Sequence, residues 1–126
     1  MEARTISGMP VIGKYKWEFE IPGSGTQTSV HEFFPGHIQY SMAGPAHSTA
    51  YTQNLVAFDP AEQRCITVGS GGDKEGVYFL MFFRYINDEQ VTIYKRKCAT
   101  REEAENFPVP AMDATEDHGW NVYTKV

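Results

Sequence analysis

Lys14-Tyr15-Lys16-Trp17-Glu18-Phe19-Glu20-Ile21 alternates charged and apolar side chains without a fault. On an extended chain Tyr15, Trp17, Phe19 and Ile21 share one face. Lys14, Lys16, Glu18 and Glu20 share the other, which is the period of a strand with one wet side. At helical spacing the same residues scatter around the axis. The stretch is a strand. Gly13 precedes it and Pro22-Gly23-Ser24-Gly25 ends it, because glycine and proline interrupt regular structure.

The same reading extends down the chain. Residues 29–34 begin a second strand, and Pro35-Gly36 is a turn in which proline presets φ and glycine tolerates a positive φ. If that turn closes a two-residue hairpin, Phe34 faces His37, Phe33 faces Ile38, Glu32 faces Gln39 and His31 faces Tyr40. The register gathers His31, Phe33, Ile38, Tyr40 and Met42 on one face, read as inward. Glu32, Gln39 and Ser41 fall on the other, and a slip by one residue would mix the two sets.

A loop over 43–48 leads to a fourth strand over 49–58, closed by Asp59-Pro60. A short fifth follows over 65–68, then the turn Ser70-Gly71-Gly72-Asp73. Gly76-Val77-Tyr78-Phe79-Leu80-Met81-Phe82-Phe83 is apolar on both faces, so it needs cover inside and outside. Asn87-Asp88 turns the chain into a mixed strand over 91–96. Thr100 and Glu103 stand at N-cap and capping-box positions of one short helix over 100–106, and Pro108 stops it. Residues 118–126 alternate again. The expected fold is mainly β: an eight-stranded antiparallel up-and-down barrel, with one short C-terminal helix before the last strand.

Composition bounds the rest. The 126 residues make a single domain, spanning 1–126, with residues 1–9 expected either disordered or capping one barrel end. A net charge of −5 argues against nucleic acid or an anionic membrane as the main partner. No apolar run approaches the roughly 18–20 residues of a membrane span. The first ten residues show no apolar signal region. Cys65 and Cys98 are too few for a disulfide framework, so reduced thiols and a cytoplasmic location are expected.

Two stretches carry a resemblance. Gly13-Lys14 followed by an aromatic amphipathic strand, and Ile38-Gln39-Tyr40 leading to Gly44, are similar to small cofactor-free barrels of the phenolic acid decarboxylase and MoaF type. The arrangement as a whole resembles the calycin, or lipocalin-type, superfamily. The passage from Arg101 to Pro110, a helix and prolines before a last strand, is similar to the decarboxylase tail. In those decarboxylases a tyrosine pair on the first strand binds the substrate carboxylate, with an arginine after the second motif. Here the tyrosine positions fall at Glu18 and Glu20, and the arginine position near Thr49 or Ala50. Two carboxylates cannot hold a third, and no arginine stands between Arg4 and Arg64. The resemblance therefore implies the scaffold, a closed barrel able to hold one small ligand, and not the decarboxylation.

Candidate chemistry centres on His31 opposite Tyr40. A buried imidazole needs a hydrogen-bond partner, and a phenol one strand away is a natural one. The pair is either a satisfied piece of core or a general base and hydrogen-bond donor facing a cavity. Trp17, Phe33, Met42, Tyr51, Gln53, Tyr78 and Tyr94 are the expected ligand-lining residues, although the same aromatics suit an ordinary β core. The four histidines, His31, His37, His47 and His118, show no metal-ligand spacing, and His31 and His37 point to opposite faces; no metal and no cofactor are expected. There is no Gly-x-Ser-x-Gly elbow, and Gly69-Ser70-Gly71-Gly72 reads as a turn, not a phosphate cradle. Lys95-Arg96-Lys97 reads as a solvated strand edge.

The helix offers little apolar surface beyond Ala104, so the doubly apolar strand is expected to find its outer cover in a homodimer. Three functional readings stay open: a module binding a small apolar or aromatic molecule, a cofactor-free lyase or isomerase using His31 and Tyr40, and a filled barrel acting through its surface.

Overall fold

The computed structural model describes residues 13–126, so the expectation for residues 1–9 lies outside the described part. Eight antiparallel strands follow one another around a closed barrel in sequence order. They are β1 (Gly13–Ile21), β2 (Gly25–Phe34), β3 (His37–Ala43), β4 (Thr49–Asp59), β5 (Arg64–Ser70), β6 (Tyr78–Tyr85), β7 (Gln90–Cys98) and β8 (Trp120–Lys125). The helix α1 (Arg101–Asn106) and a 3-10 turn over Glu116–His118 lie between β7 and β8. The fold is the expected meander, a closed up-and-down barrel consistent with a calycin-like fold. No helix among the described residues is long and apolar enough to cross a membrane.

β1 behaves as its pattern dictates. Tyr15 is buried, Trp17, Phe19 and Ile21 are half-buried, and the alternating Lys14, Lys16, Glu18 and Glu20 are exposed. The β2–β3 register pairs Phe34 with His37, Phe33 with Ile38, Glu32 with Gln39 and His31 with Tyr40, as the hairpin argument requires. β2 starts at Gly25 instead of residue 29, because Thr26, Gln27 and Thr28 continue the ladder against Glu20, Phe19 and Glu18. The seam that closes the barrel is short: Tyr15 opposite Lys125 and Lys16 opposite Thr124.

The barrel is packed unevenly. Tyr15, Phe33, Ile38, Phe58, Cys65, Met81, Phe83, Val91, Ile93 and Tyr123 form the interior cluster, filling the end where β2 turns into β3. A bulge between Leu55 and Ala57 in β4 switches the faces and lets Phe58 rejoin that interior. The opposite end carries the long β7–β8 connection and is polar and partly hollow.

β6 is covered twice, as its composition demands. Phe79, Met81 and Phe83 point inward. Leu80 and Phe82 point outward, yet both are fully buried beneath Ala104, Phe107, Ala114 and Trp120. The helix alone is a poor lid, as expected, but the chain after it completes the cover. Arg64 pins the arrangement: its Nη1 donates to the Ala104 carbonyl at 2.8 Å, and its guanidinium lies 4.8 Å from the centre of the Phe82 ring. The uncovered face on which a homodimer was expected is therefore absent from the described surface.

Thr100 caps α1 by accepting the Glu103 N–H at 3.1 Å, while the Glu103 carboxylate accepts the Ala99 N–H at 2.7 Å. β7 has neighbours on both sides, β6 and β8. The reading of Lys95-Arg96-Lys97 as a solvated edge is corrected: a closed barrel has no such edge, and alternation sends Lys95 inward.

Candidate functional site

A cavity of about 350 Å³ occupies the polar end of the barrel, lined among others by Trp17, Ser29, His31, Tyr40, Met42, Phe79, Ile93, Lys95 and Tyr123. Each strand contributes by simple parity. Trp17 is two residues on from the buried Tyr15. Ser29 and His31 precede Phe33 on the inward face of β2. Tyr40 and Met42 follow Ile38, and Lys95 follows Ile93. The cavity adjoins the place where the short β1–β8 ladder stops, with Trp17 on one side and Asn121 and Tyr123 on the other. Lys97, Asp117 and His118 stand at its rim.

Of the expected residues, His31, Tyr40, Trp17 and Met42 line the cavity. Tyr51 belongs to the same group through its hydroxyl, which accepts a hydrogen bond from Lys95 Nζ at 2.9 Å. Phe33 and Gln53 point inward but sit in filled core: Phe33 packs edge-on against Phe83, and the Gln53 amide donates to Met81 Sδ at 3.5 Å. Tyr78 and Tyr94 are corrections. Both lie on the outer face of the barrel, in the cluster under α1, because their strands put them out of phase with Phe79 and Ile93. The Tyr94 hydroxyl donates to the Asp117 carboxylate at 2.6 Å instead of reaching a ligand.

His31 and Tyr40 are neighbours, with ring centres 4.7 Å apart, but they are not each other's hydrogen-bond partners. The Tyr40 hydroxyl accepts from Ser29 Oγ at 3.3 Å, and Ser29 Oγ also meets the Tyr123 hydroxyl at 2.8 Å. His31 Nε2 lies 3.3 Å from Lys95 Nζ. Among the described residues His31 Nδ1 has no hydrogen-bond partner, although the residue is 1% exposed. Such an orphan is costly unless something else meets it.

Lys95 is the residue that sequence reasoning missed. Its amine sits 3.8 Å from the Tyr40 ring centre, 4.8 Å from that of Phe79 and 5.2 Å from that of Tyr51. Among the described residues no carboxylate forms an ion pair with it; the carboxylates of Glu103 and Asp117 go to Arg96 on the outside. The signal that would have found it is the parity of Val91, Ile93 and Lys95, continued one step past the apolar pair.

The electrostatics follow from burial. Burial, reinforced by the charge on Lys74, holds the Lys95 amine well below the usual lysine range. Burial, then the Lys95 charge, likewise lowers His31, so the imidazole is held neutral. The Tyr40 and Tyr123 hydroxyls are pushed up by burial and only partly relieved by Ser29. At neutral pH the phenols are therefore donors, and the imidazole is a neutral acceptor or donor according to its tautomer. Cys65 offers no nucleophile, its thiol being pushed up by burial to about 12.

No group of three or more His, Cys, Asp and Glu among the described residues is placed to hold a metal. Glu18 and Glu20, where the decarboxylase resemblance puts substrate-binding tyrosines, lie on the solvent face and do not line the cavity. Compared with family models, with curated proteins and with solved structures, the chain returns no match, so the calycin-like description rests on its topology.

Proposed function

We propose that the barrel binds a small aromatic or apolar molecule bearing a polar group, in the cavity between β1, β2, β3, β7 and β8. One observation carries this reading: a half-open space with ring and aliphatic walls, lined by His31 and by Lys95, which has no ion-pair partner among the described residues. Its volume of about 350 Å³ is at the small end of the roughly 300–1,000 Å³ typical of ligand sites, which suits a molecule of one or two rings. Trp17, Phe79 and Tyr123 offer faces for an aromatic body; Lys95, Tyr40 and the imidazole offer donors and acceptors.

Trp17 makes the reading testable, because it lines the cavity while Trp120 lies on the outer face near Arg84. Titration with 4-hydroxybenzyl alcohol should change the indole fluorescence saturably in the native chain and leave that of Trp17→Phe unmoved. An unchanged signal in the native chain, with no heat of binding by calorimetry, contradicts the proposal.

A cofactor-free lyase or isomerase would use the same cavity, and the neutral His31 imidazole beside Lys95, both lining it, favours that second reading. The two separate on His31→Gln. Loss of turnover with binding retained marks a base, whereas weakened binding alone marks a lining residue.

A further inference from the structure

Lys95 is poorly explained as structure. It brings an amine into the barrel, gains no carboxylate partner among the described residues, and rests against three rings and an imidazole. A filled core would place an aliphatic residue there, as β7 does two and four residues earlier with Ile93 and Val91. A permanent cation would be expected to recruit an acid, and Asp117 at the rim is engaged instead by Tyr94 and Arg96. What the surroundings supply is a fixed amine at the cavity wall, a hydrogen bond to orient it, and a proton acceptor at 3.3 Å. Those are the requirements of an amine that adds to a carbonyl group.

We propose that the ligand is a small aromatic aldehyde or ketone, and that Lys95 Nζ holds it as a reversible imine with His31 moving the protons. This rests on the cavity-binding reading above and names the chemical class for it. The Nζ lone pair adds to the carbonyl carbon, and the π pair of the C=O bond moves to oxygen. His31 Nε2 takes one N–H proton from the nitrogen and returns it to that oxygen, giving a carbinolamine. The second N–H proton leaves through the same imidazole to the hydroxyl, the C–O bond breaks, water departs and C=N forms. Amine and carbonyl become imine and water, with no change of oxidation state and no co-reactant. Lowering of the amine by burial supports the step, because it raises the fraction carrying a free lone pair at neutral pH. His31, held neutral, is able to accept the proton.

The test is reductive trapping on the full chain. The protein is incubated at neutral pH with stoichiometric 4-hydroxybenzaldehyde, reduced with borohydride and mapped by peptide mass spectrometry. The expected result is one hydroxybenzyl adduct on Lys95, with Lys14, Lys16, Lys74, Lys97 and Lys125 left unmodified. Excess 4-hydroxybenzyl alcohol, which has the same ring but no carbonyl, should suppress it. Lys95→Met, checked for native folding by circular dichroism, should lose the adduct. An adduct spread over the surface lysines, or none at Lys95 while the alcohol binds, overturns the imine and leaves the binding reading standing. Loss of alcohol binding in Lys95→Met without trapping in the native chain also overturns it, making the amine a hydrogen-bonding anchor. If neither the alcohol nor the aldehyde binds, both proposals fall.

Discussion

A lysine that points into a barrel gives up part of the water around its ammonium, and around the half-buried Lys95 rings, a phenol and an imidazole stand in its place. In the unfolded chain its amine takes up a proton below about pH 10.4, whereas in the fold it resists until the pH is well below that. The unfolded state therefore binds more protons between those two values, and stability rises with pH across that window. At neutral pH Lys95 is a cost. Lys95→Met, of similar length and without the charge, should raise the thermal midpoint by about 3 °C or more, in line with the gain seen when buried charges give way to apolar groups. A lower midpoint on calorimetry would mean that the amine holds the barrel together.

His31 works in the same direction at lower pH. Its folded value lies below the ordinary value of about 6.5, so protons bind the unfolded state preferentially as the pH drops through that value. The groups facing it are Lys95, Tyr40 and Tyr123, none of which offers a negative charge near neutrality. Between about pH 7.5 and about pH 5.5 the native chain should lose about 1 kcal/mol more stability than His31→Gln, as one preferentially bound proton requires. Urea unfolding at the two pH values measures the difference. Parallel losses would show that the imidazole is free to charge within the fold.

At the scale of elements, Gln27 ties down the loop after β3 and Arg64 helps pin the cover over β6. The fully buried Gln27 clamps the loop, donating to the His47 carbonyl and accepting the Ala46 N–H at 3.1 Å. Gly44 makes room for that clamp: its φ is 151°, and a Cβ there would stand 2.4 Å from Gln27 Oε1 and 2.9 Å from Gln27 Cα. Gly44→Ala should cost about 1–3 kcal/mol by denaturant unfolding, from strain and a displaced buried amide. On the outer face, Arg64→Leu removes the bond to the Ala104 carbonyl and the guanidinium above Phe82. It should loosen residues 99–119, seen as faster proteolysis there and as uptake of an apolar dye by Leu80 and Phe82. An unchanged cleavage rate would show that Phe107 and Trp120 hold the cover unaided. The elements themselves were legible because β1 and the β2–β3 hairpin alternate cleanly, and because Pro35-Gly36 pins the register. The outer cover was not. It is assembled from Phe107, Ala114 and Trp120, which share no period and meet only in three dimensions.

Across the whole molecule, a meander of eight strands closes over one filled end and one hollow end. Alternation alone puts Trp17, His31, Tyr40 and Met42 on inward faces, where the cavity lies. It misplaced Tyr78 and Tyr94, because in strands apolar on both faces composition does not say which parity is inward. Lys95 was hidden for the converse reason: a charged residue in a basic triplet reads as surface until the strand around it is known to be closed in on both sides. The central claim is that the hollow end takes an aromatic ligand, and backbone NMR of the full chain titrated with 4-hydroxybenzyl alcohol tests it most directly. The account predicts saturable amide shifts concentrated at Trp17, Ser29, His31, Tyr40, Lys95 and Tyr123, with the filled end around Phe58, Met81 and Phe83 unmoved. Shifts scattered over the outer surface, or none at saturating ligand, would contradict it.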